Sequence, residues 1–154
     1  MERDWLFHTD GAICNFRCAG LVIRNGKVLL QRDGDEYALI GGHVKVGETG
    51  AEAVIREFWE ELGVQIRIEK MLWSEECFWT WQEKLSHTIS FYYLAQLEDD
   101  SAISDDGAFQ PQLDNPRVEI GWVPVDELKR LTVYPEFLKQ RIEDLEPGHF
   151  ITRA

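Results

Sequence analysis

Residues 42–64 read GHVKVGETGAEAVIREFWEELGV, and this stretch contains five glutamates, three of them within the five residues EFWEE. On a helix, like charges three or four residues apart repel each other by roughly a few tenths of a kcal/mol per pair. The proximity of Glu57, Glu60 and Glu61 therefore costs stability, unless water and salt screen the charges or a positive group lies among them.

The same stretch predicts a helix from Gly50 to Leu62. Thr49 is followed three residues later by Glu52, which is the pattern of a capping box, where each side chain accepts a hydrogen bond from a backbone N–H of the other residue. Gly63 supplies the residue type that most often takes the left-handed conformation just after a helix. Local signals therefore mark both ends of the helix.

The glutamates of this helix border its apolar face. At about 100° per residue, the apolar side chains gather in one sector, which we expect to face the core. They are Ala51, Val54, Ile55, Phe58 and Leu62. Glu57, Glu60 and Glu61 occupy the adjoining sector. Arg56 lies just outside it, within reach of Glu60 and of Glu48 in the preceding loop.

Two interpretations of this carboxylate cluster are open. In the first, the cluster is the solvated acidic face of an ordinary surface helix. In the second, its oxygens bind a hard divalent cation, Mg²⁺ above all with Mn²⁺ as the alternative, because such ions prefer carboxylate, water and phosphate oxygens. Trp59 stands where a solvated face should be polar, and a glycine-rich loop leads into the helix, so the pattern favours a metal site.

The rest of the chain predicts a single α/β domain over residues 1–154. Asn25-Gly26 between two apolar runs is the strongest short hairpin signal, because both residues can adopt positive φ. The remaining elements follow from residue patterning. They are paired strands at 16–23 and 27–33, strands at 65–79 and 87–97, an acidic loop at 98–116, a strand at 119–124, a short helix at 125–131 and an amphipathic helix at 134–145. We expect a mixed β-sheet with helices on its faces.

The stretch at 42–64 resembles the signature of the Nudix family. That signature runs Gly, five residues, Glu, seven residues, Arg-Glu, an apolar residue, any residue, Glu-Glu, any residue, Gly and an apolar residue. This chain fills every defined position. The matching residues are Gly42, Glu48, Arg56, Glu57, Phe58, Glu60, Glu61, Gly63 and Val64. The order of elements around the stretch is also similar to that of the family, over nearly the whole chain.

The resemblance implies a Nudix-type α/β/α sandwich and a metal-dependent hydrolase that cleaves the diphosphate linkage of a nucleoside diphosphate joined to another moiety. Glu57, Glu60 and Glu61 would be metal ligands, and Gly42 would let the backbone approach the metal. Glu48 and Arg56 would form an ion pair that orients loop and helix. The carboxylate that takes a proton from the attacking water stays open among Glu60, Glu61, Glu76 and Glu119.

Composition narrows the class of partner. The net charge of −12 opposes binding to polymeric nucleic acid, which needs clustered Lys and Arg. The N-terminal sequence lacks the pattern of a signal peptide, and the apolar runs are far shorter than a membrane span. Cys14, Cys18 and Cys77 form no CxxC pair, so we expect reduced thiols in a cytoplasmic protein.

The substrate has to be recognised by residues outside the signature. Trp79 and Trp81 are candidates to stack on a nucleotide base, although alternating aromatic residues in strands are more often core. His43, inside the signature loop, is a candidate phosphate contact. We expect a small nucleotide-type substrate, and a homodimer because exposed aromatic residues favour interfaces.

Two other functional classes bear on the same residues. A catalytically silent nucleotide-sensing or interaction module is the main alternative, but such modules often lose signature carboxylates, and this chain keeps all of them. An isomerase of isoprenoid diphosphates is a third class. The family's isomerases need a catalytic Cys and a longer chain.

Overall fold

The helix predicted in the opening stretch is present as α1 (Gly50–Leu62), with both predicted caps. Thr49 Oγ1 accepts a 3.1 Å hydrogen bond from the Glu52 N–H, and the Thr49 N–H donates a 2.9 Å bond to Glu52 Oε1. Gly63 has a φ of 69°, which a residue with a side chain rarely adopts. Phe58 is fully buried on the predicted core face, whereas Trp59 is exposed.

The computed structural model describes residues 3–154, which form twelve strands in two six-stranded sheets. In chain order the strands are β1 (Leu6–Thr9), β2 (Ala12–Leu21), β3 (Ile23–Arg24), β4 (Lys27–Asp33), β5 (Glu36–Ala38), β6 (Ile40–His43), β7 (Ile66–Trp81), β8 (Lys84–Leu97), β9 (Gln110–Pro111), β10 (Glu119–Pro124), β11 (Thr132–Tyr134) and β12 (Gly148–Arg153). The first sheet has the order β1-β2-β8-β7-β12, with β6 pairing β2. The second has the order β11-β5-β4-β10-β9, with β3 pairing β4. Parallel pairs occur in both sheets, so both are mixed.

The hairpin predicted around Asn25-Gly26 is only partly correct. The two turn residues have φ values of 53° and 74°, as the prediction requires, but only β3 pairs with β4 across the turn. β2 pairs instead with β8, in parallel, in the other sheet. The end of β2 is buried on both of its faces, which is the environment of a central strand rather than of one arm of an isolated hairpin.

The helix predicted at 134–145 is wrong in extent. Only α2 (Leu138–Arg141) is α-helical, because Tyr134 belongs to β11, where it pairs with Ala38. The predicted apolar stripe nevertheless packs inward. Its members are Phe137, Leu138, Ile142 and Leu145. After Pro147 the chain continues as β12, an edge strand that local patterning did not predict.

Two hydrophobic cores lie on opposite sides of the strands. Neighbouring residues alternate between them: Cys18 and Tyr93 pack with α1, whereas Ala19 and Tyr92 pack on the other side. The second core is covered by a 3₁₀ helix (Val125–Arg130), where a short helix was predicted, and by α2. This layering confirms the α/β class, with the strands divided over two mixed sheets. Within residues 3–154, the helices are too short or too polar to cross a membrane.

The acidic loop at 98–116 is irregular, as predicted, except for β9, which pairs with β10, and the rest of the chain holds the loop in place. Ile103 is buried in the core beneath α1, and its carbonyl accepts a 3.4 Å hydrogen bond from Trp122 Nε1. Lys27 Nζ lies 2.7 Å from Asp105 Oδ1. These contacts hold the loop in one position, next to the C-terminal end of α1, where the Leu113 N–H donates to the Glu61 carbonyl.

We expect Thr49→Ala to lower the free energy of unfolding by about 1 kcal/mol, because it removes the side-chain acceptor of the capping box. Thr49→Ser keeps that acceptor and should match the wild type within a few tenths of a kcal/mol. Urea unfolding followed by circular dichroism measures both variants. Equal stability of the two would show that the cap does not hold the start of α1.

Candidate functional site

The carboxylates of α1 form a gradient from the core to the solvent. Glu61 is buried, with 5% of its surface exposed. The Glu57 side chain is 14% exposed and that of Glu60 is 40% exposed. The helical geometry that places these residues beside the apolar face therefore also places one of them inside the protein.

Arg56 joins α1 to the loop that precedes it. Its Nε and Nη2 atoms donate hydrogen bonds of 2.8 and 3.0 Å to the two carboxylate oxygens of Glu48. Nη2 also donates to the His43 carbonyl at 2.9 Å, and the Lys45 N–H donates to Glu48 Oε1 at 2.9 Å. A two-pronged guanidinium–carboxylate pair fixes direction as well as distance, so the loop and the helix hold one relative orientation.

The remaining nitrogen of Arg56 faces the acidic cluster. Nη1 donates to Glu57 Oε1 and to Glu60 Oε2, both at 3.0 Å. The hydrogen bond to Glu48 is the largest influence on Arg56 and raises its pKa, so the guanidinium is permanently charged. Burial tends to raise the pKa of Glu48, but the bonds from Arg56 and from the Lys45 backbone outweigh it and hold that pKa below its usual value. One cation therefore offsets several of the carboxylates.

The backbone of β6 approaches the cluster closely at Gly42. A Cβ at this position would lie 2.6 Å from Cδ and Oε1 of Glu57, so any residue other than glycine would displace the Glu57 carboxylate. Pairing with Cys18 in β2 holds Gly42 in register, and the Cys18 thiol points at the Gly42 carbonyl, with Sγ at 3.6 Å. The pairing of β6 with β2 thus places the backbone at Gly42 directly beside the Glu57 carboxylate.

Glu61 is the member of the cluster most affected by burial. Its Oε1 accepts a 2.6 Å hydrogen bond from Gln112 Nε2, whereas its Oε2 is buried and has no hydrogen-bond partner among residues 3–154. Burial, the neighbouring Glu57 carboxylate and the charge of Asp114 raise the pKa of Glu61 well above the usual range for a glutamate. An ionised Glu61 therefore lacks a compensating positive charge in its own surroundings.

The donor set suits a hard divalent cation in its chemistry. It offers three carboxylates beside a bare backbone, and the unpaired Glu61 Oε2 is the kind of buried acceptor that a cation would satisfy. In the part of the chain that the structure describes, no group of three or more His, Cys, Asp or Glu side chains has the arrangement of a formed metal centre. Arg56 Nη1 instead donates hydrogen bonds to both Glu57 and Glu60.

A cavity of about 210 Å³ lies between the two sheets. Its lining includes Arg17, Gln31, Gly41, Ser90, Tyr92 and Tyr134. Arg17 Nη1 is 3.4 Å from His43 Nε2, so the cavity reaches the signature loop through these two side chains. Burial and the positive charge of Arg17 lower the pKa of His43, which is therefore neutral at pH 7.

The structure brings together Gly42, Glu48, Arg56, Glu57 and Glu60 through direct contacts. Glu61 is on the same side of α1, one turn from Glu57. His43 borders the cavity through Arg17. The roles of these residues as metal ligands or substrate contacts stay predictions.

Trp79 and Trp81 lie apart from this group, near the tip of the β7–β8 hairpin. Trp79 is four residues along β7 from Glu75, which pairs with the cavity residue Ser90, a separation of about 13 Å along the strand. Both indoles are exposed, Trp79 by 40% and Trp81 by 51%. Their contact with a substrate stays a prediction.

Two carboxylates outside α1, both candidates for the general base, are engaged elsewhere. Glu76 Oε2 is 2.7 Å from His149 Nε2, and Glu119 Oε1 is 2.9 Å from Arg32 Nη2. Sequence patterns missed Gln112 and Asp114, which reach Glu61 from the acidic loop. The composition of this loop carries no periodic signal, so only the folded chain reveals the contact.

Comparison with known proteins agrees with this fold. A family model described as a NUDIX domain matches residues 15–145. The NAD-capped RNA hydrolase NudC of Chromobacterium violaceum is 28% identical over 116 residues, which are 72% of this chain but only 38% of that protein. The chain thus spans well under half the length of this relative.

Solved structures show the same fold. The MutT protein of Bacillus halodurans superimposes with a TM-score of 0.72 at 18% identity, covering 91% of this chain and 90% of that one. An ADP-ribose pyrophosphatase of Streptococcus suis gives a TM-score of 0.59 at 16% identity, covering 88% and 98%. The fold and the braced acidic helix define a domain of the Nudix class. The chain belongs to the Nudix family.

We expect Glu48→Gln to lower the free energy of unfolding by about 1–3 kcal/mol, because it removes the charge from a partly buried pair joined by two hydrogen bonds. The control is Glu119→Gln, which alters a more exposed pair with one contact and should cost less than about 1 kcal/mol. Urea unfolding of both variants measures the difference. An equal loss in the two would contradict a special role for the Arg56–Glu48 pair.

Proposed function

We propose that the protein hydrolyses the diphosphate linkage of a nucleoside diphosphate joined to another moiety, with water attacking at phosphorus. The observation that carries the proposal is the arrangement at α1: three graded carboxylates, a bare backbone at Gly42 and the Arg56–Glu48 brace. A purely solvated acidic face would need neither a buried glutamate, such as Glu61, nor a glycine in close contact with a glutamate, as Gly42 is with Glu57. The substrates named for the relatives are compatible with this linkage, but they are properties of those proteins.

In this proposal Glu57, Glu60 and Glu61 hold Mg²⁺ or Mn²⁺, with backbone near Gly42 close enough to contribute. Bound there, the cation would neutralise the diphosphate charge and lower the pKa of a water molecule. Glu57 and Glu60 would give up part of their contact with Arg56, while the two bonds from Arg56 to Glu48 keep the helix in place. The brace and the ligands are thus separate parts of the site.

A carboxylate of α1 accepts the proton of the attacking water in this scheme. The hydrogen-bond contact of Glu76 with His149 and the ion pair of Glu119 with Arg32 favour Glu60 or Glu61 for this task. In the same scheme, Arg17, which lines the cavity, and the neighbouring neutral His43 contact phosphate oxygens. The cavity, at about 210 Å³, is smaller than the typical site of a whole drug-sized ligand, so it suits one part of the substrate.

The alternative is a nucleotide-sensing module without catalysis. The test is a panel of nucleoside triphosphates, ADP-ribose, nucleotide sugars, dinucleoside polyphosphates and NAD, each with Mg²⁺, with Mn²⁺ and with a chelator. We expect cation-dependent release of a nucleoside monophosphate from at least one member, resolved by chromatography. Tight binding of a nucleotide with no product under any condition would instead establish the sensing module.

We expect Glu61→Gln to lower kcat by roughly 10²- to 10⁴-fold while the variant keeps the wild-type circular dichroism spectrum. The amide preserves shape but cannot take a proton or carry charge. Glu76→Gln and Glu119→Gln, whose carboxylates are paired elsewhere, should retain turnover. Wild-type rates in Glu61→Gln would remove Glu61 from the site, and a comparable loss in Glu76→Gln or Glu119→Gln would move the general base outside α1.

We also propose that two copies of the chain associate through the part of the first sheet that α1 leaves uncovered. Strand register places Phe7, Ile89 and Ile151 on this side, and they are 50%, 45% and 62% exposed. Among these rows Glu76 is the one carboxylate, so this face opposes few negative charges to those of a second chain, although the net charge of each chain is −12. With Trp5 and Leu85, also exposed, the face offers roughly 500 Å² of apolar surface, a large share of the about 800 Å² per partner of a standard interface.

Light scattering after size exclusion tests this assembly. The wild type should have twice the 17.9 kDa mass of one chain, and Ile89→Asp with Ile151→Asp should have the mass of one. Leu113→Asp, which alters an equally exposed leucine outside this face, should leave the dimer intact. A monomeric wild type, or a dimer that survives both aspartates, would exclude this interface.

A further inference from the structure

Gln112 connects the acidic loop to the end of α1. It lies just after β9 and is 5% exposed. Its N–H donates to the Val118 carbonyl at 2.8 Å, and the N–H of the next residue, Leu113, donates to the Glu61 carbonyl at 2.9 Å. Backbone bonds on both sides therefore fix this residue beside Glu61.

The side-chain amide of Gln112 makes two short contacts. Nε2 donates to Glu61 Oε1 and to Gln31 Oε1, each at 2.6 Å. An amide nitrogen carries two hydrogens, so both are used, and the amide plane has little freedom to rotate. Glu61 is thereby held by one oxygen, and its other oxygen, Oε2, is left without a partner among the described residues.

A neutral donor has a different effect on Glu61 from that of a cationic one. Arg56 brings a positive charge to Glu57 and Glu60, with which a metal ion must compete. Gln112 brings none, so it orients Glu61 without neutralising it. No cation has to leave Glu61 before a metal ion binds, and its Oε2 has no hydrogen-bond partner among the described residues.

The second contact of Gln112 leads to the cavity. Gln31 lies in β4 and lines the cavity together with Arg17 and Tyr134. The order Gln31, Gln112, Glu61 is thus a continuous hydrogen-bonded connection from the cavity wall to the most buried carboxylate of α1.

We propose that Gln112 is a positioning residue that holds Glu61 for the cation, with Gln31 fixing the orientation of the Gln112 amide. This inference rests on the proposed function, because it assigns Glu61 to the cation site. Gln112 acts through Glu61 and does not contact the reacting atoms. Hydrogen-bond partners of metal ligands change metal affinity by about 10- to 100-fold when they are lost.

The experiment is a titration of the wild type and of Gln112→Met with Mn²⁺, in which electron paramagnetic resonance reports free Mn²⁺. Methionine keeps the length of the side chain and removes both donors. We expect the Kd for Mn²⁺ to rise about 10- to 100-fold. We expect kcat to fall while KM for the best substrate of the panel changes less than about threefold, since a ligand-orienting residue acts on the site and not on substrate affinity.

Gln110→Met is the matched control. Gln110 precedes Gln112 by two residues in the same segment and is exposed, so its replacement should leave the Kd for Mn²⁺ unchanged. Thermal unfolding of both variants shows whether the substitution destabilises the acidic loop as a whole or changes only the position of the Glu61 carboxylate. If Gln112→Met does not fold, Gln31→Met provides the same test by removing the acceptor that orients the amide, with a several-fold rise in Kd expected.

The outcomes distinguish this inference from the proposed function. A wild type that binds Mn²⁺ and hydrolyses a diphosphate, with an unchanged Kd in the folded glutamine variant, would overturn the role of Gln112 alone. A wild type that binds no Mn²⁺ would overturn the cation site, and the role of Gln112 with it. A Kd that rises in Gln112→Met but not in Gln110→Met supports the inference, even if the panel yields no substrate.

Discussion

The two-pronged bond between Arg56 and Glu48 is the constraint on which the site depends. It fixes the direction of α1 relative to the loop that leaves β6, and the same guanidinium holds the His43 carbonyl. Because Gly42 and His43 belong to β6, the bond also ties the helix to the first sheet. The close approach of the Gly42 backbone to Glu57 follows from this connection between the helix and the sheet.

The acidic end of α1 opposes the ordinary electrostatics of a helix. Glu60 and Glu61 lie in its last turn, where the partial charge of the backbone is negative and basic residues are the stabilising choice, yet this turn contains none. Like charges on successive turns add to the cost. Arg56 offsets part of it, and Gln112 satisfies one oxygen of Glu61 without removing its charge. The arrangement is poor for stability and suitable for holding a cation, which is the general pattern when a functional site overrides local preference.

Local sequence signals predicted those features of the chain that depend on neighbours in sequence. Thr49, Glu52 and Gly63 define α1 because caps act within a few residues, and the long strands β7 and β8 follow from continuous strand-forming runs, although their pairing does not. The partner of β2 was not predictable in this way. Its apolar run is compatible with a hairpin, and the choice of β8 depends on burying both faces of β2 between two cores. The apolar side chains of the predicted C-terminal helix are packed inward as expected, but the helix is shorter than predicted. Tyr134 pairs with Ala38 in β11, so the helix begins later. Gln112 escaped prediction for a similar reason, since it lies 51 residues from Glu61 in a loop without a pattern.

We propose that the carboxylates of α1 form a cation site braced by Arg56 and Glu48. Diffraction from crystals grown with Mn²⁺, recorded where manganese scatters anomalously, is a direct test of this proposal. We expect an anomalous peak within about 2.5 Å of carboxylate oxygens of Glu57, Glu60 or Glu61, with the Arg56–Glu48 bonds intact. Peaks confined to exposed acids of the 98–116 loop, or a peak at α1 only after Arg56 has left Glu48, would contradict it.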